Sequence, residues 1–444
     1  MLRVLPAILL LFISLSTGAL SGIGSRAPRA TLLKAGRLLD VKGGAYLENQ
    51  GVLIEQGRIR AVGEFESVRR GAPKDARVVD LGRAVLLPGL IDCHSHLFLS
   101  NDGQVDKTAG MTEEERLRLA ERNALELLRG GVTTVRNVGH SGTRGDAVLR
   151  DRVEAGRAAG PRIIPATRKL TPPGGQPLGA GAVSKEILAR DFLTVSNLDE
   201  ARRAVREAAR RGAGVIKIVV DVDRNLLGLD QIKAIVEESH RLGLKVAAHA
   251  TTEEGARRAA LAEVDSIEHG TEASDETFRL MAERGIFLVA NDYKPEQLRQ
   301  IFAANLAAQP ALRADFEAWL KDYTMKTPAR LQRALKAGVR IAFGSDMIFA
   351  FPGKTRGQAS LLVLDALQSE GLSTLDCIRA ATLNAAELIG WQDRVGTIEP
   401  GKLADIIAVE RGPLEDISEL QRVRFVMKGG VIVKDELAGQ AMNP

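Results

Sequence analysis

From Arg83 to about Leu388 the chain repeats one unit: a short apolar run, a polar loop, then a stretch with apolar residues at helical spacing. This is the βα alternation of a parallel sheet, because a parallel strand needs a crossover that returns the chain to the same end. Val85–Ile91, Val132–Asn137, Arg162–Ala166, Val215–Val220, Leu244–His249, Asp265–His269, Ile286–Asn291 and Arg340–Phe343 read as strands. Eight such units predict an α/β fold, a TIM (β/α)8 barrel over residues 86–394.

The helices carry their own start and stop signals. Thr112 and Glu115 form a capping box, Leu117, Ala120, Ala124, Leu127 and Leu128 make one apolar stripe, and Gly130 ends the helix. Asn197 and Glu200 open a second helix that runs to Gly212, and a third covers Leu229–Leu242 before Gly243. The stretch 294–338 exceeds one helix and predicts an elaborated loop over the barrel mouth.

Both ends of the chain read differently. Residues 31–79 and 396–434 hold short β-type runs, such as Val52–Glu55 and Val423–Met427, with turn signals and no helices between them. They predict a small β-sandwich assembled from both chain ends, residues 28–85 plus 395–440, with the barrel inserted. Ahead of it, Arg3 precedes an apolar stretch from Val4 to Leu15 and the small residues Ala19 and Ser21. That pattern resembles a secretory signal peptide over residues 1–22. It predicts a secreted or periplasmic protein with no stable membrane span after signal removal. Cys93 and Cys377 are the two cysteines, and they read as buried free thiols.

Composition removes several classes. A chain that is 45% hydrophobic and 26% charged is globular, and its 44 glycines follow no period, which excludes collagen-like and solenoid folds. The net charge of +5 is spread through mixed runs at helical spacing, with no basic patch interleaved with aromatics. Nucleic acid is therefore not an expected partner. A homo-oligomer is left open.

The six histidines focus the chemistry. His94 and His96 form an HxH just after the first predicted strand, and alternation along an extended chain points both imidazoles the same way. His249 and His269 end the fifth and sixth strands, Lys217 lies within the fourth, and Asp346 follows the eighth. All six groups converge at the C-terminal rim, where barrels of this type keep their chemistry. The constellation reads as a metal site. A lysine within an apolar strand must be paired or deprotonated, since a lone buried ammonium costs several kcal/mol. Reaction with carbon dioxide would turn the Lys217 amine into a carbamate able to bridge two cations; the alternative is an ion pair with a rim carboxylate such as Asp346.

The stretches PGLIDCHSHL (88–97), VIKIVV (215–220), KVAAHATT (245–252), DSIEHG (265–270), AFGSD (342–346) and AATLNAAELIG with VGTIEPGKLADIIAVE (380–410) give the chain a recognisable form. It resembles the metal-dependent amidohydrolase superfamily, in the group with imidazolonepropionase-like and Xaa-Pro dipeptidase (prolidase)-like members. The resemblance implies two divalent metal ions, with zinc the first choice. His94, His96 and Asp346 would hold one, His249 and His269 the other, and the carbamate of Lys217 would bridge them. Such a pair makes hydroxide available at neutral pH for attack on an amide carbonyl, with Asp346 as the catalytic proton carrier.

The expected substrate is a small-molecule amide, a dipeptide or N-acyl amino acid. His140 would receive its carboxylate, and Tyr293, Arg224 and Arg356 would add pocket contacts. Two other readings stand beside this one: a cyclic-amide or lactone hydrolase or a deaminase of the same superfamily, and a secreted binding protein without catalysis. The Lys217 position argues against imidazolonepropionase proper and typical deaminases, which use one metal.

Overall fold

Strands buried on both faces need apolar or internally satisfied side chains throughout, and Val132–Asn137 is buried at every position. It is the middle strand of an all-parallel arc, Leu90–Ser95, Val132–Asn137 and Arg162–Pro165. A second parallel arc runs Phe192–Thr194, Lys169–Thr171, Val215–Val219, Lys245–Ala250, Ser266–His269, Phe287–Ala290 and Ile341–Phe343. The computed structural model describes residues 30–100, 108, 110–176, 184–222 and 225–438. The signal-peptide reading over residues 1–22 and the contact assigned to Arg224 lie outside them.

The arcs meet at both seams. Gly214 N donates to Pro165 O at 2.7 Å, and Asp346 N donates to His94 O at 2.8 Å. Helices alternate with the strands, the TIM-barrel-like α/β arrangement. Helix Glu113–Arg129 starts on the expected Thr112–Glu115 capping box and ends at Gly130. Asn197 caps Leu198–Arg210 through Glu200 N. Among the described residues no helix is long and apolar enough to cross a membrane.

The run Val85–Ile91 is not one strand. It divides at Gly89: Val85–Pro88 pairs antiparallel with Ile406–Val409, and Leu90–Ser95 starts the barrel-like arc. Proline has no N–H to continue a ladder, and a Cβ on Gly89 would stand 2.2 Å from Thr133 Oγ1, so the chain turns where only glycine fits. The two chain ends meet in one eight-stranded sheet ordered Val431–Asp435, Phe425–Lys428, Ile406–Val409, Val85–Pro88, Ala30–Asp40, Ala45–Glu55, Arg58–Glu64, with Arg77–Asp80 beside Ala30–Asp40. Alternate residues face different cores: Ile406 and Ala408 pack with Leu33 and Val52, while Ile407 and Val409 join the large cluster under the parallel strands.

Two expectations change. The N-terminal β segment is interrupted by a helix, Phe65–Gly71, capped by the Glu64 side chain and held by Phe65 and Val68 against Leu32 and Leu53. The stretch 294–338 is a helical hairpin, Pro295–Ala308 and Arg313–Lys336, rather than a loop. Its Phe302, Phe316, Trp319 and Tyr323 rings stack in sequence, which gives two helices of low amphipathicity a common face.

Candidate metal centre

His94, His96, Lys217, His249, His269 and Asp346 line one cavity of about 140 Å³ at the C-terminal ends of the strands, together with His140, Lys169, Gln176, Leu99 and Ile348. The imidazoles form a chain of ring contacts, His96 to His94 at 5.2 Å, His94 to His269 at 5.3 Å and His269 to His249 at 4.7 Å. Asp346 Oδ1 lies 3.2 Å from His96 Nε2 and 3.6 Å from His94 Nε2. Ligand atoms of His94, His269 and Asp346 all fall within 4.8 Å of one another, a grouping that cuts across the two sets implied by the sequence resemblance.

Each group is aimed by its surroundings. Glu268 Oε2 accepts from His94 Nδ1 at 2.7 Å, which fixes the tautomer and leaves Nε2 with its lone pair toward the cavity. The same buried carboxylate accepts from Arg136 Nη2 at 2.8 Å and Ser266 Oγ at 2.5 Å. Asp346 is set by the turn before it. Ser345 donates to the Asp92 carboxylate through N at 2.9 Å and Oγ at 2.7 Å. A Cβ on Gly344 would stand 2.5 Å from His94 Cβ and 2.6 Å from Val289 Cγ1. His140, His269 and Asp346 all hold positive φ, at 63°, 70° and 45°. Left-handed backbone at non-glycine residues costs of order 1–3 kcal/mol each and gathers where function constrains the chain.

The electrostatics suit cation binding. Burial, and then Lys217 for His94 and His269 for His249, hold both imidazoles well below their ordinary range, so they are neutral donors. Burial opposes ionisation of Asp346, but facing His94 and His96 outweigh it and keep its carboxyl low. Burial pushes the Lys217 amine down to about 8, and its Nζ has no hydrogen-bond partner. Neutral imidazoles, an ionised carboxylate and an orphaned buried amine fit divalent metal ions together with a carbamate.

Other expected contacts fall elsewhere. The Tyr293 hydroxyl donates to Ser345 O at 2.7 Å, behind Asp346. Arg356 is buried, donates to His96 O at 2.8 Å and also reaches Met347 O. Both residues brace the backbone around His96 and Ser345–Met347 instead of lining the cavity, because unpaired backbone carbonyls at a strand end attract such donors. His240 is exposed, on the helix Leu229–Arg241, and pairs with Asp265. Cys93 and Cys377 are buried free thiols, pushed up to about 12 by burial. Lys169 and Gln176 line the cavity without having been singled out in the sequence. Lys169 sits on a three-residue strand, too short to show a period, and Gln176 on the irregular chain after it.

Imidazoles and a carboxylate around one cavity, at the C-terminal ends of parallel strands, make up the donor set of a metal-dependent hydrolase. The chain belongs to the amidohydrolase family, whose model matches residues 85–433. It is 31% identical to an ochratoxinase of Aspergillus niger, over 94% of this chain and 90% of that one. It is 28% identical to an imidazolonepropionase of Geobacillus kaustophilus, over 88% and 91%. A solved Xaa-Pro dipeptidase with methionine bound in its active site superposes with a TM-score of 0.78 at 28% identity, covering 91% of this chain and 100% of that one. The solved A. niger ochratoxinase gives 0.77 at 29% identity, covering 94% and 99%. The chain is thus an amidohydrolase-superfamily hydrolase acting on amide bonds.

Proposed function

We propose that this protein is an exported binuclear metal-dependent amidase whose substrate is a dipeptide or N-acyl amino acid. The observation that carries the reading is the shared cavity: all six expected ligands line it, and the fourth-strand lysine among them is buried without a partner. His94, His96, His249, His269 and Asp346 would hold two divalent ions, zinc by choice of donors, with Lys217 as carbamate between them. The two arcs are read as a closed (β/α)8 barrel, supported by the backbone bonds at both seams.

Bound there, the ions would supply Lewis acidity and a lowered water pKa. The protein's own groups do the rest. Glu268 holds the His94 ring in one tautomer. Asp346, within reach of both HxH imidazoles, takes the proton of the attacking water and delivers it to the leaving nitrogen. Leu99 and Ile348 shield the reacting carbonyl from bulk water.

Elemental analysis and a screen of dipeptides, N-acyl amino acids, cyclic amides and lactones test the reading together. Two metal equivalents and hydrolysis of open-chain amides support it. One equivalent in fully active protein, or turnover confined to cyclic substrates, overturns it.

A further inference from the structure

Lys169 is as deeply buried as Lys217, at 1% exposure against 2%, and the two stand on neighbouring strands at one level, since Leu170 pairs with Ile218. The fold makes room for it deliberately. Its stem crosses Gly139, where a Cβ would stand 2.7 Å from both Cγ and Cδ of the lysine. Its Nζ lies 4.8 Å from the centroid of the Phe192 ring. It donates to His140 Nε2 at 2.7 Å and to Gln176 Oε1 at 2.8 Å. Accepting from the lysine, His140 Nε2 carries no proton, so the imidazole is neutral.

Burial, and then Lys217, push the Lys169 amine down to about 7; every group that touches it is neutral, and among the described residues it has no carboxylate partner. An ammonium has three N–H donors, of which two are engaged. A buried cation without a counter-ion is costly, and one that lines a reaction cavity is completed by an anion that arrives with the ligand. His140, which the sequence offered for the acidic group, has its Nε2 committed to the lysine.

We propose that Lys169 is the specificity-determining residue of this site, pairing with a carboxylate that the substrate carries next to its scissile amide. The assignment rests on the amidase reading and narrows it to acyl derivatives whose amine part is an amino acid with a free carboxyl end. Leu99 and Ile348, which also line the cavity, favour an apolar side chain on that amino acid.

The test pairs kinetics with binding in metal-loaded protein. Acetate release is followed from N-acetyl-L-leucine and N-acetyl-L-leucinamide, and calorimetry measures L-leucine and L-leucinol, which have no bond to cleave. Lys169→Met keeps the stem and removes the charge. It should raise KM for the acid and Kd for leucine by tenfold to a hundredfold, leave kcat within about threefold, and leave the carboxamide and leucinol unchanged. Lys169→Arg should recover part of the loss, and metal content should stay at the wild-type value. Equal losses on acid and carboxamide, no binding of leucine to wild type, or a parallel loss of metal overturn the assignment. A wild type that binds leucine through Lys169 but cleaves no amide would sink the amidase reading and leave the lysine's role standing. Equal cleavage of acid and carboxamide would do the reverse.

Discussion

The backbone N–H of Asp346 donates to the carbonyl of His94 at 2.8 Å while their side chains face each other, His94 Nε2 standing 3.6 Å from Asp346 Oδ1. The first and last members of the candidate metal set along the chain are thereby fixed to one another across a seam between the two arcs. This backbone bond holds the two segments together independently of the Asp346 carboxylate, and this shapes what substitutions should do.

Asp346→Asn keeps the backbone bond and the side-chain volume but removes the proton carrier. We expect kcat to fall at least a hundredfold, with a melting temperature close to wild type. Activity within tenfold, a barrier change of only about 1.4 kcal/mol, would contradict the assigned role.

Glu268→Gln leaves the His94 ring without its anionic partner and the buried Arg136 guanidinium without its carboxylate. Metal affinity should drop about tenfold to a hundredfold. Metal-free stability should fall by about 3–5 kcal/mol, the usual result of breaking a buried pair from one side. Chelator competition and denaturant titration read the two effects separately, and an unchanged metal affinity would show that Glu268 does not orient His94.

Gly344→Ala inserts a methyl against His94 Cβ and Val289 Cγ1. Relief requires the turn before Asp346 to move, so stability should drop by about 1–3 kcal/mol and metal content should fall with it. A variant with wild-type metal content and melting temperature would mean that the turn has slack.

Acid should destabilise the fold partly through His140. Its folded imidazole resists protonation until about pH 3, because of burial and Lys169, whereas an unfolded histidine takes up its proton near 6.5. Between those values the unfolded state binds the extra proton, so this group's contribution is complete above pH 6.5. It is lost by about 1.4 kcal/mol per pH unit as pH falls toward 3. His140→Gln keeps an acceptor for Lys169 and removes the titration; its stability should depend less steeply on pH across that window. Equal slopes would assign the acid sensitivity to other groups.

The shared cavity was legible because His94, His96, Lys217, His249 and His269 sit on or beside strands of four to six residues; Asp346 follows a strand as short as that of Lys169 and was legible through the family-like AFGSD stretch. The Val132–Asn137 strand and the Thr112 capping box could be read to the residue, since both depend on local chemistry. What stayed hidden was set by distant contacts. Lys169 lies on a three-residue strand whose neighbours are far away in sequence. Tyr293 and Arg356 look like pocket residues in a rim loop, and only the folded positions of Ser345 O, Met347 O and His96 O explain what they do. The 294–338 hairpin owes its form to aromatic stacking between two helices, which no single helix displays in its own periodicity.

The pairing of Val85–Pro88 with Ile406–Val409 has a consequence for biogenesis. A ribosome delivers the first of these strands long before the second, so the growing chain carries an unpaired apolar edge through almost all of its synthesis. Long-range pairings of this kind form late and leave intermediates prone to aggregate. Pairing of the terminal sheet therefore waits until Ile406–Val409 has been made, and loss of that strand would expose the edge of Val85–Pro88.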